Sequence, residues 1–348
     1  MGILNDTDKV KAFYNNVENL DAEFRKNESK IKGLRAFNNW IKCAIIHKFA
    51  RLNEIRPNSG HVLEAGSSGA LDSGLRVLEI GCGKGGDLHK WHKAPEKVAV
   101  YVGLDPADVS IQQATERWEG YQETLKYGDT VSRAEFYAKD CFGETLEEMP
   151  IIQEVGFSSE SGGGFDIASM MFCMHYAFSD EKNIRMMLRN ITGALKPGGR
   201  VIGCVPSSKV IGENIRKLEA SVWRSALGYP HDLISWGNSI YNVRFEGKTP
   251  PDGLFGRPFG DRYFFSLAEA VEAPEYVVPW ELFCEIAEEY GLELQYCKPL
   301  DQVWEEEKNN EFLAALSQEM GVVHADGTFL VSRHELEAAK FYQAFCFC

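Results

Sequence analysis

The stretch LRVLEIGCGKGGDLHKW, residues 75–91, constrains the fold of this chain more than any other. A short apolar run leads straight into a loop with four glycines in six residues, and a helix-forming segment follows. A strand that turns at once into a helix needs backbone that tolerates positive φ and lets a ligand approach closely. Glycine supplies both. Such a turn belongs at the carboxyl end of a strand in an open α/β sheet, where ligands bind.

The flanking sequence supports that placement. Strand patterns at residues 76–80, 99–105, 134–140, 165–172 and 200–206 alternate with helical patterns near 86–93, 108–121 and 181–196. The run Lys196-Pro197-Gly198-Gly199 reads as the stop of the last helix. This alternation predicts parallel strands joined by right-handed crossovers, that is, an α/β, Rossmann-like, mostly parallel doubly wound sheet. Ahead of it, Ile31, Leu34, Ile41, Ile45 and Phe49 recur near helical spacing opposite Lys and Arg, which predicts a helix over 29–50. Residues 143–164, acidic and rich in Gly and Ser, read as a surface insertion. Beyond Pro206 the pattern is less regular. Strands are expected at 239–245, 261–267 and 292–297, a helix at 279–291, and a buried final strand in KFYQAFCFC. The expected organisation is one domain over 1–348. It comprises a basic helical part at 9–56, the α/β core at 75–206, a β-rich insertion over the active face at 207–278, and a C-terminal helix and strands at 279–348.

Charge narrows the partners. A formal net charge of −14 argues against non-specific nucleic-acid binding by the whole surface. Its distribution is uneven: residues 9–56 hold eleven basic and five acidic side chains, residues 261–348 five and eighteen. A polyanion would be met on one side only. No run approaches the roughly 18 apolar residues of a membrane span, and the N-terminus lacks a signal-peptide core. Asp6 stands where myristoylation needs Ser or Thr, and the closing Cys346-Phe347-Cys348 fits a strand better than a prenylation signal. Nine cysteines with no CxxC pair point to a reducing compartment and away from a metal site.

Asp105 ends the second strand, where an acid can hold both hydroxyls of a ribose, and Asp140 follows the third, where it can accept from an adenine amino group. The loop has no GK[ST], so a P-loop is excluded, and a dinucleotide or S-adenosylmethionine remains. The sequence LKPGG before the fifth strand favours a methyltransferase over a dehydrogenase.

Several stretches together resemble the eukaryotic mRNA cap guanine-N7 methyltransferases: YNNVENLDAEFRKNESKIKGLRAFNNWIK, VLEIGCGKGGDLHKW, YVGLDPADVSIQQATERW, MHYAF, GNSIYNVRF, APEYVVPWELFCEIAEEYGLEL and a final FYQAF. FNNWIK and HYAF are close to family-specific. The resemblance implies methyl transfer from S-adenosylmethionine to N7 of the guanosine cap of nascent mRNA, with no metal and no general base. It implies cofactor contacts at Lys42, Gly81, Asp105, Asp140 and the position of Met171. His175, Tyr176, Glu275 and Tyr342 match the guanine pocket, Tyr176 also bordering the cofactor. Asn38 and Asn39 match the cap side, and Lys84, Lys90 and Arg117 match basic positions serving the cap and its phosphates. Met171 departs from the family pattern, which usually has Gln there, and a thioether cannot replace both the donor and the acceptor of an amide. The resemblance further implies a nuclear monomer that meets 5'-capped nascent mRNA, with a guanylyltransferase or the transcription machinery as partners. Three rival readings stand beside it: a methyltransferase for another substrate, which leaves FNNWIK, Glu275 and Tyr342 unexplained; a non-catalytic cap-binding protein, favoured by Met171 alone; and, weakest, an NAD-dependent oxidoreductase.

Overall fold

A computed structural model describes residues 6–16, 22–52, 74–123, 131–221 and 234–348. Helices α1 (Asp6–Asn16), α2 (Ala22–Asn27) and α3 (Lys32–Phe49) precede the sheet. In α3, Leu34, Phe37, Trp40, Ile41, Ala44 and Ile45 fall on one face and are buried. Trp40 Nε1 donates to the Leu313 carbonyl at 2.8 Å, so the indole is satisfied as well as buried. The stretch RPNSGHVLEAGSSGALDSG, residues 56–74, reads as a Gly- and Ser-rich linker, and all of it but Gly74 lies outside the described residues.

The core strands are β1 (Leu75–Ile80), β2 (Val98–Asp105), β3 (Ala134–Ala138), β4 (Phe165–Met171) and β5 (Leu195–Pro206). With β10 (Leu294–Pro299) and β11 (Tyr342–Phe347) they form one sheet ordered β10-β11-β5-β4-β1-β2-β3. The five core strands are parallel, and β11 runs antiparallel to both β5 and β10. β1 pairs with β2 on one side and β4 on the other, which explains its nearly unbroken apolar sequence. Helices α4 (Leu88–Trp91), α5 (Asp108–Gln122), α6 (Pro150–Val155) and α7 (Glu181–Ala194) fill the crossovers. The chain leaves β1 toward β2 and β3, then returns to β4 on the other side of β1. That reversal opens a crevice beyond the carboxyl ends of β1 and β4.

The remainder is α8 (Ser208–Glu219), a separate antiparallel sheet of β6 (Ile234–Gly237), β7 (Tyr241–Phe245), β8 (Arg262–Leu267) and β9 (Val271–Tyr276), then α9 (Trp280–Glu288), α10 (Leu300–Glu307), α11 (Glu311–Glu319) and α12 (Arg333–Ala339).

Three differences from the sequence reading have physical causes. Helix α7 stops at Ala194, and Lys196 to Gly199 lie inside β5, where a register shift against β4 and a positive φ at Gly198 absorb them as a bulge. Residues 143–164 are no mere surface excursion, because Leu146, Ile151 and Ile152 are buried in the core. The segment after Pro206 begins with helix α8 before its strands appear.

Candidate active site

The crevice holds a cavity of about 380 Å³, the size of a small-molecule site. The glycine loop forms its floor. Gly81, Gly83 and Gly85 all have positive φ, and a Cβ on Gly81 would come within 2.7 Å of the Cys173 sulfur, so no larger residue fits there. The Gly81 and Cys82 amides both donate to the Leu104 carbonyl, which pins the loop to the end of β2.

Asp105, the last residue of β2, lines the same cavity. Its Oδ2 accepts from the Gly83 amide and its Oδ1 from the Ala107 amide, both at 2.9 Å. Burial raises its carboxyl above the ordinary value, and those two amides pull the other way. Asp140 reaches the cavity from the turn after β3, its Oδ1 accepting from the amides of Phe142 and Gly143 at 3.0 and 3.1 Å. Asp105 is thus held by the glycine loop and its own turn, and Asp140 by its own turn, which leaves further lone pairs for a ligand.

Lys42, from α3, lines the opposite wall. Its Nζ donates to Asp87 Oδ2 at 2.6 Å, and the other oxygen of Asp87 takes Lys90 Nζ at 2.7 Å. Burial opposes ionisation of Asp87, but the two ammoniums outweigh it and hold the carboxyl well below the usual carboxylate range. Burial likewise opposes charge on Lys42, and Asp87 reverses that, leaving Lys42 raised. Glu79, one strand residue away from the loop, is fully buried and accepts from Trp91 Nε1 at 3.0 Å. Burial, with the Asp87 charge beside it, pushes Glu79 up to about 8.

Lys90 corrects an expectation. It was expected to serve the phosphates, yet it is 6% exposed, bound to Asp87 and the Gly86 carbonyl, and absent from the cavity wall. Helix α4 carries Leu88 and Trp91 into the core, and Lys90 goes in with them. Lys84 and Arg117 do line the cavity. Asn38 and Asn39 do not: Asn39 is exposed, and Asn38 keeps a buried Oδ1 with no hydrogen-bond partner.

Tyr176 and Met171 line the cavity, whereas His175, Glu275 and Tyr342 sit one residue behind its wall. His175 and Tyr176 lie on a 3₁₀ turn, Met174–Ser179, just after β4, and their rings are 4.3 Å apart. Glu275, on β9, is 2% exposed. It accepts from the Tyr263 hydroxyl at 2.7 Å and lies 3.4 Å from His175 Nε2. Tyr342 packs edge-on against Phe172 at 5.0 Å, and Phe172, which lines the cavity, has φ of 66°. Strain of this kind in a non-glycine residue belongs at functional sites. Residues from the turn after β4, from β9 and from β11, distant in the chain, thus gather behind one end of the cavity.

Sequence reasoning missed Asp87, Phe172, Val10 and Tyr14. A signal existed for two of them, since Val10 and Tyr14 stand one helical turn apart and both line the cavity. Nothing local marks Asp87 as the counter-ion of a lysine 45 residues away.

A glycine-loop cavity at the switch point of a mostly parallel seven-stranded sheet, with acids closing two successive strands, defines a Rossmann-like methyltransferase fold. Family comparison matches residues 3–348 to the mRNA (guanine-N(7))-methyltransferase domain, and the chain belongs to that family. Proteins named mRNA cap guanine-N(7) methyltransferase are 45% identical in Pyricularia oryzae (98% of this chain, 76% of that protein) and 45% identical in Aspergillus oryzae (98% and 75%). One from Schizosaccharomyces pombe is 40% identical over 99% of this chain and 82% of its own length.

Proposed function

We infer that this chain transfers a methyl group from S-adenosylmethionine to N7 of the guanosine cap of mRNA, giving the N7-methylated cap and S-adenosylhomocysteine. The observation that carries the reading is the convergence of two chemistries on one cavity in a chain of this family. Lys42, the glycine loop, Asp105 and Asp140 form an adenosyl-amino-acid site, and Tyr176 with the His175–Glu275 pair adjoins it. The residues suit the donor: Asp105 would hold the ribose, Asp140 the adenine side, Gly81 the loop contact and Lys42 the methionine carboxylate, with Met171 against the remainder.

Bound S-adenosylmethionine supplies an activated methyl on a sulfonium sulfur. Guanine N7 carries a lone pair and no proton, so no residue has to remove one, and acceleration comes from placing the reactants in line at near-attack distance. Glu275, already anchored by Tyr263, suits the two N–H donors of the guanine Watson–Crick edge, and its charge becomes more favourable as the base turns cationic. Tyr176 and Tyr342 offer aromatic surface, and Lys84 and Arg117 offer charge to the triphosphate. The protein works in this reading as a nuclear monomer beside the machinery that makes the cap. Among the described residues no helix is long and apolar enough to cross a membrane.

Methylation of GpppA- or GpppG-capped RNA, with ApppA as control, tests the reading. Methyl should enter the G-capped substrates only. Transfer to a protein or metabolite with none to GpppA would sink it.

A further inference from the structure

Helix α1 shares the cavity with the sheet. Val10 and Tyr14 both point into it, and the Tyr14 hydroxyl lies 3.1 Å from the Tyr176 hydroxyl, with the rings meeting edge-on at 6.4 Å. Burial drives the Tyr14 phenol well above its ordinary value, and the charges of Glu275 and Asp105 both add to the rise. One side chain therefore feels the acid of the guanine end and the acid of the ribose end together.

The next residue anchors the helix to the ribose end. Asn15 Nδ2 donates to Asp108 Oδ1 at 3.1 Å, Asn15 Oδ1 accepts from the Val109 amide at 3.2 Å, and Lys11 pairs with Asp108 at 3.3 Å. Those contacts fix α1 to the first turn of α5, three residues beyond Asp105. On its other side α1 packs against β9, the strand that carries Glu275.

We propose that α1 couples the two halves of the site: Tyr14 is a positioning residue that orients Tyr176 toward the acceptor base, and Asn15 ties it to the ribose turn, so that a filled cofactor end strengthens binding of the cap. The inference rests on the cap-methylation reading. A hydroxyl–hydroxyl bond of ordinary net strength sets the size of the effect at about two- to tenfold. Coupling of this kind is reciprocal between the two ligands.

The test uses the full chain and titrates GpppA with and without saturating S-adenosylhomocysteine. Wild type should bind GpppA more tightly when S-adenosylhomocysteine is present. Tyr14→Phe, which keeps the ring and loses only the hydroxyl, should bring that affinity ratio about two- to tenfold closer to one and lower kcat on capped RNA by a similar factor, with little change in thermal unfolding. Asn15→Ala should weaken S-adenosylhomocysteine itself by about two- to tenfold. A ratio of one in wild type, a wild-type ratio in Tyr14→Phe, or unchanged cofactor affinity in Asn15→Ala overturns the coupling alone. If wild type binds no GpppA, the cap reading fails and the coupling with it.

Discussion

Replacing Glu79 by Gln isolates an acid buried beneath the site. In the folded chain Glu79 holds its proton up to about pH 8, against an ordinary 4.5 when exposed. A carboxyl whose folded value is raised binds its proton more tightly in the folded state. Between the two values the unfolded chain is ionised and the folded chain is not, so stability falls as pH rises, by about 1.4 kcal/mol per unit. From pH 5 to pH 7 the loss comes to about 2.5 kcal/mol. Glu79→Gln keeps an acceptor for the Trp91 indole and cannot ionise, so it escapes this loss. The neighbouring shifts act elsewhere. Asp87 is held low, so its contribution is complete above the ordinary carboxylate value of 3.8 and is lost below it; Lys42 is raised, so its contribution lasts until pH climbs past 10.5. Urea unfolding of both proteins at pH 5, 6 and 7 provides the measurement, because groups common to the two cancel in the difference. The variant should gain on wild type by about 2.5 kcal/mol over that range. A difference that stays flat would refute the reasoning, and would mean that Glu79 is ionised at neutral pH and shares Lys42 with Asp87.

Three further substitutions separate the two ends of the cavity. Glu275→Gln retains an acceptor for Tyr263 but loses a charge worth about 1.5–3 kcal/mol in charge-assisted bonds, so kcat/KM on capped RNA should fall about ten- to a hundredfold. Affinity for S-adenosylhomocysteine should barely move, and equal losses in both would contradict the placement of Glu275. Met171→Gln adds a donor and an acceptor to the wall and should tighten S-adenosylhomocysteine by about two- to tenfold; calorimetry showing no change would make an amide there dispensable. Lys84→Ala should weaken capped-RNA use and flatten its salt dependence while sparing the cofactor, and kinetics at two ionic strengths showing the reverse would move Lys84 to the cofactor side.

The parallel core is legible in the sequence because its inner strands β1, β2 and β4 are almost wholly buried and read as apolar runs bounded by turns, while β3, at the sheet edge, buries only Ala134. The end of the cavity that carries Asp105 and Asp140 is legible for a related reason: it hangs on strand ends, so both acids are found by counting along the chain. Strand β9 is harder to read. Its sequence VEAPEY has two acids and a proline, which a central strand would exclude, but β9 is the edge strand of its sheet and tolerates them. Lys90 misleads because charge alone does not say which way a one-turn helix faces; Leu88 and Trp91 decide it by burial. Asp87 is invisible for the opposite reason, since its meaning lies in Lys42, which only the packing of α3 brings near.

Burying three ions together is rarely a gain in stability, because desolvation offsets most of their attraction and a well-packed apolar set of similar volume does as well. The Lys42–Asp87–Lys90 group therefore invites an explanation in orientation. Asp87 occupies one turn of backbone between the glycine loop and Trp91 and grips lysines from two separate helices. Lys90 then acts as a brace, neutralising the second oxygen of Asp87 from within the core, and Lys42 becomes the arm that reaches the cavity wall. A reaction that removes no proton depends on geometry, and here a loop locked by positive-φ glycines is joined to a cation locked by a buried carboxylate. The end near Glu275 is built the same way, with the Tyr263 hydroxyl fixing the Glu275 carboxylate. Both ends are thus set by contacts within the protein itself, and what remains adjustable is the relation between them, which is where α1 lies.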